Sequence, residues 1–201
     1  MRYFITAIDT DSGKSLVSAI LIKALKGDYW KPVQAGTPTD TNYVKALVQN
    51  SGSTFFKEAY MLQTPCSPHA AAEKENIQIN TAEMDIPQTS NPLIIEGAGG
   101  ALAPLNDEEF AIDIAKRTQA EVVLVSNLYL GSINHTLLTV EYLKQRNYKV
   151  KGIIFNGEPN PESESFILKY SGYPCLLRIL PEEKINEDIV NHYAEKLAEN
   201  W

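Results

Sequence analysis

With 201 residues, 44% of them hydrophobic and 21% charged, the chain has enough apolar material for a packed core and is expected to form a single domain, residues 1–201. A formal net charge of -7 argues against a surface built to grip nucleic-acid phosphates. No apolar run reaches the roughly 18 residues that a membrane span needs.

Tyr3 to Ile8 reads as a short buried strand that the chain enters at once, without a basic and apolar leader. A polar loop follows and closes on Gly13-Lys14-Ser15, and the apolar residues Leu16, Val17, Ala19, Ile20, Leu21, Ala24 and Leu25 predict a helix directly behind it. Tyr29 to Val33 reads as a second strand running into Lys31-Pro32-Val33-Gln34-Ala35-Gly36. Helices are expected over Thr39–Gln49 and Ser67–Glu75, the latter with Ser67 at the cap and Pro68 at the first position. Leu93 to Ile95 is an apolar strand that ends at Glu96-Gly97-Ala98-Gly99-Gly100. The remainder alternates: helix Glu109–Arg117, strand Val122–Ser126, helix Ser132–Arg146, strand Val150–Phe155, helix Glu162–Tyr170, strand Cys175–Leu180 and an end helix Glu187–Asn200. The strands are continuously apolar, as expected when helices cover both faces. This order predicts an α/β fold: a doubly wound, mostly parallel sheet with right-handed crossovers.

In such sheets ligands lie beyond the carboxyl ends of the strands. Those ends carry Thr10 to Ser15, Lys31 to Gly36, Glu96 to Gly100, Asn127 to Ser132, Asn156-Gly157 and Pro181-Glu182. Strand, loop, Gly-Lys-Ser and helix form a phosphate-binding arrangement, in which backbone N–H groups and a helix start cradle phosphates. Lys14 then charges the outer ones, and the Ser15 hydroxyl is a candidate Mg²⁺ ligand. The strict spacing asks for Gly where the chain has Ile8, with Ala7 the nearest small residue. A bare Gly-Lys-Ser is also an ordinary helix start.

Glu96 at a strand end is placed for a Mg²⁺ bound to phosphates, beside Ser15. The glycines after it suit close approach of an anion, or simply a turn. Lys31 points toward the same crevice as Lys14, and two ammonium groups there repel each other unless anions lie between them. Asp40 is either a second metal-facing carboxylate or, the more usual position for Asp, a helix cap or first-turn acid. Asn156 is either a base-edge partner or a turn residue. Cys66 and Cys175 lie far apart without metal or redox spacing, and three scattered histidines make no zinc cluster; reduced thiols in the cytoplasm are expected.

Taken together, Asp9-Thr10-x-x-Gly13-Lys14-Ser15, Lys31-Pro-Val-Gln-Ala-Gly36, Ser67-Pro68-His69, Glu96-Gly-Ala-Gly-Gly100 and Leu130-Gly-Ser-Ile-Asn-His135 resemble the dethiobiotin synthetases, in the right order over nearly the whole chain. That family has a phosphate loop one residue longer than the strict pattern. The resemblance implies an ATP-dependent ring closure of 7,8-diaminononanoate with CO₂ or bicarbonate, by way of a carbamate and its mixed anhydride with phosphate. It implies ATP as co-substrate, Mg²⁺ as cofactor, and a homodimer in which Leu130 to His135 reaches the neighbouring site. No nucleic-acid or membrane partner is implied.

Carried over, the resemblance implies catalytic roles for Lys14 and Lys31. Nucleotide contacts are implied for Thr10, Asp11, Ser12, Gly13, Lys14, Ser15, Asp40, Glu96, Gly97, Ala98 and Gly99. Asn156 and Gly157 are implied to read adenine, bordered by Pro181, Glu182 and Glu183. The metal falls to Ser15, Asp40 and Glu96, and the substrate to Lys31, Ala35, Gly99 and Gly100. Ala7 replaces the family's loop Gly, and Ala35 stands where some members have Ser or Thr. The competing reading is a partition-type ATPase switch of the same phosphate-loop superfamily. Such switches often end in a basic amphipathic helix, whereas Glu187 to Trp201 is mainly acidic.

Overall fold

The computed structural model describes residues 1–49 and 52–201. Its frame is a seven-stranded parallel sheet built on β1 (Arg2–Ala7) at its centre, with β6 (Leu93–Glu96) on one side and β7 (Glu121–Asn127) on the other. Beyond β6 lie β2 (Asp28–Trp30) and the edge strand β4 (Phe55–Phe56). Beyond β7 lie β8 (Val150–Asn156) and β9 (Cys175–Ile179), giving the order β4-β2-β6-β1-β7-β8-β9. Because all seven run the same way, the loops after β1, β2, β6, β7, β8 and β9 gather at one edge.

Alternate side chains of the strands feed two separate cores. Tyr3, Ile5, Ala7, Val123 and Val125 face α1 (Lys14–Leu25), α2 (Asp40–Val48) and α7 (Glu187–Asn200). Phe4, Ile95, Val122, Leu124 and Phe155 face the opposite layer, which includes α3 (Pro68–Lys74), α4 (Asp113–Thr118), α5 (Ser132–Gln145) and α6 (Pro161–Ser171). Burial on both faces explains why the strands read as unbroken apolar runs. Among the described residues no helix is long and apolar enough to cross a membrane.

Two expectations need correction. The second strand does not run from Tyr29 to Val33: it stops at Trp30. Pro32 has no N–H for the ladder, and the chain leaves the sheet at Lys31. Val33–Ala35 (β3) instead pairs in parallel with Tyr60–Leu62 (β5) as a small second sheet, which begins where the Tyr60 N–H donates to the Pro32 carbonyl at 2.9 Å. The helix expected from Glu109 starts only at Asp113. Glu109 is occupied elsewhere, accepting hydrogen bonds from the Thr81 hydroxyl and from Asn106. The chain before α4 folds back on itself, with the Ala111 N–H on the Ala103 carbonyl at 2.8 Å and the Ile112 N–H on the Ala101 carbonyl at 3.1 Å.

Gly152 on β8 marks a close approach to β9. A Cβ there would sit 2.7 Å from both the Pro174 carbonyl oxygen and Leu176 Cγ. Backbone cannot yield as a side-chain tip does, so Gly152→Ala is expected to cost about 1–3 kcal/mol, the scale of overpacking. A denaturant titration checks this, and an unchanged midpoint would mean that β9 moves aside freely.

Candidate active site

The loop between β1 and α1 is shaped by Gly13, which caps α1 at φ 96°, ψ 23°, in the left-handed region that disfavours side chains. A Cβ at this position would also collide with Asn156 Nδ2, only 2.4 Å away. That carboxamide donates to the Ser12 carbonyl at 2.9 Å, so the end of β8 braces the loop. Ser12 is buried, and its hydroxyl donates to Asn127 Oδ1 at 2.8 Å, a second brace from the end of β7. The loop is thus held by two strand ends remote in sequence.

Lys14 Nζ folds back on the Asp9 carbonyl at 3.1 Å. Burial first and Lys31 second pull its pKa down to about 8, against the opposing pull of Glu96, Asp40 and Asp11. At the next residue, the Ser15 hydroxyl donates to Glu96 Oε1 at 2.8 Å. Glu96 is buried at the end of β6, and its charge is matched from three sides. Besides Ser15, Lys31 Nζ lies 3.1 Å from Oε1, and the Tyr29 hydroxyl donates to Oε2 at 3.0 Å.

Lys31 is 2% exposed, a position no lone ammonium would occupy. It also donates to the Gly97 carbonyl at 2.8 Å and pairs with Asp40 Oδ2 at 2.6 Å. Burial works against its charge, but Glu96 and Asp40 more than offset this, and its pKa lies above the ordinary lysine value. The anions expected between the two lysines therefore include Glu96 and Asp40 themselves. Asp40 is a first-turn acid of α2, not its cap. Thr39 takes the cap, accepting from the Asn42 N–H at 3.2 Å, and the Asp40 carboxylate is free to reach Lys31. The Asp40 N–H is in turn held by Gln34 Oε1 at 3.0 Å.

These groups stand where two clefts meet. The first, about 420 Å³, is lined by Thr10, Asp11, Gly13, Lys14, Ser15 and Glu96, and it continues past Asn156 to Leu180, Pro181 and Glu182. The second, about 520 Å³, holds Ala35, Ala98, Gly100 and Ser67. Thr10, Lys31, Asp40 and Gly99 belong to both. Gly97 lies behind this junction against Phe4, offering its carbonyl to Lys31; Ser12, Gly157 and Glu183 lie outside both linings. Glu182 is fixed by Tyr193, whose hydroxyl donates to its Oε1 at 2.7 Å and accepts from the Leu180 N–H at 3.0 Å.

Sequence reasoning missed Tyr29, Gln34, Tyr193 and Tyr43, the last lining the first cleft one turn after Asp40. Only Tyr43 carried a usable signal, its helical spacing from Asp40; the others act through contacts across elements. The donors gathered near Lys31, two carboxylates and a hydroxyl, are hard oxygen ligands of the kind that suit Mg²⁺ alongside phosphate oxygens. That the Lys31 ammonium already bridges both carboxylates marks the spot as one that attracts a cation.

The sequence model of a family described as an AAA domain matches residues 1–188. The protein named ATP-dependent dethiobiotin synthetase BioD of Cytophaga hutchinsonii is 57% identical over 202 residues, covering 100% of this chain and 98% of that one. The protein of the same name from Christiangramia forsetii is 48% identical over 196 residues, covering 96% and 94%. Among solved structures, the septum site-determining protein MinD of Pyrococcus horikoshii, complexed with Mg-ADP, gives a TM-score of 0.57 at 15% identity, covering 99% of this chain and 95% of that one. A ParA family ATPase of Chlorobium tepidum gives 0.52 at 13%, with coverage of 99% and 95%. At such identities the structural neighbours speak for the fold alone: an α/β architecture around a parallel sheet. The full-length relatives speak for more, and the chain belongs to the family of ATP-dependent dethiobiotin synthetases.

Proposed function

We propose that this chain makes dethiobiotin from 7,8-diaminononanoate, CO₂ and ATP, releasing ADP and phosphate. The observation that carries this reading is the junction of two clefts at Lys31 and Asp40. A phosphate-binding loop opens onto one cleft and an Ala- and Gly-lined wall onto the other, so a phosphoryl group and a small acceptor can meet there.

One amine of the diamine adds to CO₂, loses a proton and becomes a carbamate. A carbamate oxygen attacks the γ-phosphorus and ADP departs. The second amine attacks the resulting anhydride carbon, the five-membered urea closes, phosphate leaves with the electron pair, and the attacking nitrogen gives up one proton to solvent. The chain's share of this work is placement and charge. Lys14 releases the Asp9 carbonyl to hold the outer phosphates. Lys31 faces both clefts and offsets the negative charge of the carbamate oxygen and of the phosphoryl group it attacks. Gly99 and Gly100 let the substrate approach the backbone closely, beside Ala35. Asn156 and the Pro181–Glu182 lip border the far end of the first cleft, where adenine is placed, with Gly157 and Glu183 adjoining. Ser15, Glu96 and Asp40 would hold Mg²⁺, which would supply positive charge against the phosphates.

The reading includes a single cytoplasmic domain and a homodimer. Support for the homodimer comes from Tyr129, Leu130 and Leu138, which leave large apolar side chains exposed around the Leu130–His135 stretch. The experiment is a turnover assay with diamine, bicarbonate, Mg²⁺ and ATP, with the cyclic urea detected by mass. ATP consumption is expected only when diamine and bicarbonate are both present. Brisk hydrolysis with neither, raised by DNA or lipid, would point instead to a partition-type switch.

A further inference from the structure

We propose that Tyr29 is a positioning residue for Glu96, holding one carboxylate oxygen away from the cleft so that the other meets the nucleotide's metal. This rests on the reading of Glu96 as a metal ligand. The two oxygens of Glu96 have different surroundings. Oε1 takes the Ser15 hydroxyl and the Lys31 ammonium, the groups that line the first cleft. Among the described residues, Oε2 takes only the Tyr29 hydroxyl.

Tyr29 is fully buried and lines neither cleft, so it acts from behind the site. Its direction follows from register. On β2 it pairs with Ile94 of β6, and Ile94 and Glu96, two apart, share one face of the sheet. The ring is packed against Phe55 of the edge strand, with centroids 5.6 Å apart, which restrains its swing. Its hydroxyl is a polar atom in an apolar layer, where a phenylalanine would fill almost the same space. Such an atom is costly unless its bond is made, and here that bond goes to the carboxylate. Removing the donor frees the carboxylate to turn toward the Lys31 ammonium with both oxygens. That arrangement competes directly with a metal.

The test is nucleotide binding, not turnover. ADP affinity is measured by calorimetry in excess Mg²⁺ and in EDTA, and the ratio of the two dissociation constants gives the metal's help to binding. Tyr29→Phe is expected to shrink that ratio about tenfold, the low end for residues that orient metal ligands. Its affinity in EDTA should stay within about twofold of the parent, since no direct nucleotide contact is lost. Glu96→Gln is expected to abolish the ratio. If Glu96→Gln abolishes it and Tyr29→Phe leaves it intact, the positioning role is wrong and the metal-ligand reading stands. If both variants keep the parent ratio, both ideas fall. Should Tyr29→Phe fail to fold, carbon-13 at Cζ of Tyr29 in the intact chain replaces it. Its resonance is expected to move when Mg²⁺ joins the ADP complex, and a resonance that stays put overturns the proposal.

Discussion

Replacing Lys31 with alanine is expected to cut turnover by about a hundredfold or more, the effect of removing one preorganised charge from a reacting anion. The same substitution has a structural cost, because this lysine neutralises Glu96 and Asp40 at 3.1 and 2.6 Å. Glu96 is buried, so losing the cation leaves an uncompensated interior charge, a loss of about 3 kcal/mol at the low end for such pairs. Ser15 and Tyr29 still donate to Glu96 and limit the damage, and Asp40 is open enough to solvent to add little. Lys31→Ala alone would therefore confuse chemistry with folding. Glu96→Gln and the double variant Lys31→Ala, Glu96→Gln together separate them. The double variant is expected to melt above Lys31→Ala, because no uncompensated charge is left, and to turn over more slowly than Glu96→Gln, because the cation is lost as well. Single-turnover and melting measurements on the parent, both single variants and the double decide the matter. Equal turnover in Glu96→Gln and the double variant would reduce Lys31 to a structural counter-ion.

What the sequence revealed of this site, and what it concealed, follows from how far apart the interacting residues lie along the chain. Gly13, Lys14 and Ser15 were legible because their geometry is local: a strand, a loop and a helix start within one short stretch. Glu96 was legible because a carboxylate at the end of a buried apolar strand has few structural reasons to be there. Asp40 was ambiguous, since Thr39 and Asp40 are both good caps and propensity does not choose between them. The choice is made by Lys31, which draws the carboxylate of one and leaves the cap to the other.

Strand limits went wrong where a tertiary partner was hidden. Pro32 should have ended the second strand on its own account. The new ladder after it depends on Tyr60–Leu62, too short a run to announce itself. Phe55–Phe56, the two-residue edge strand, escaped for the same reason. Tyr29 looked like one more apolar strand residue, because nothing in its neighbourhood of the sequence tells that its hydroxyl will meet Glu96, sixty-seven positions on.

Lys14→Ala is expected to lower turnover by about a hundredfold or more, and here the fold should survive. Among the described residues Lys14 makes one hydrogen bond, to a backbone carbonyl, and burial beside Lys31 draws its pKa down to about 8. That depression gives a second, independent signature. Below about pH 7 the empty site already carries the ammonium, so nucleotide binding takes up no proton there. At about pH 8.5, above that pKa, the neutral amine is favoured in the free protein, and bound phosphates, which favour the charged form, draw a proton in. Magnesium-free ADP is therefore expected to bind with net proton uptake at about pH 8.5, and its affinity to fall as pH rises past about 8. Calorimetry in two buffers of different ionisation enthalpy reads the uptake directly. Lys14→Arg, charged throughout this range, is expected to bind without it. If the parent takes up no proton at the higher pH, either the lysine is already charged in the empty loop or it does not meet the phosphates. The arginine variant distinguishes these, since only in the second case does it bind ADP as well as Lys14→Ala and no better.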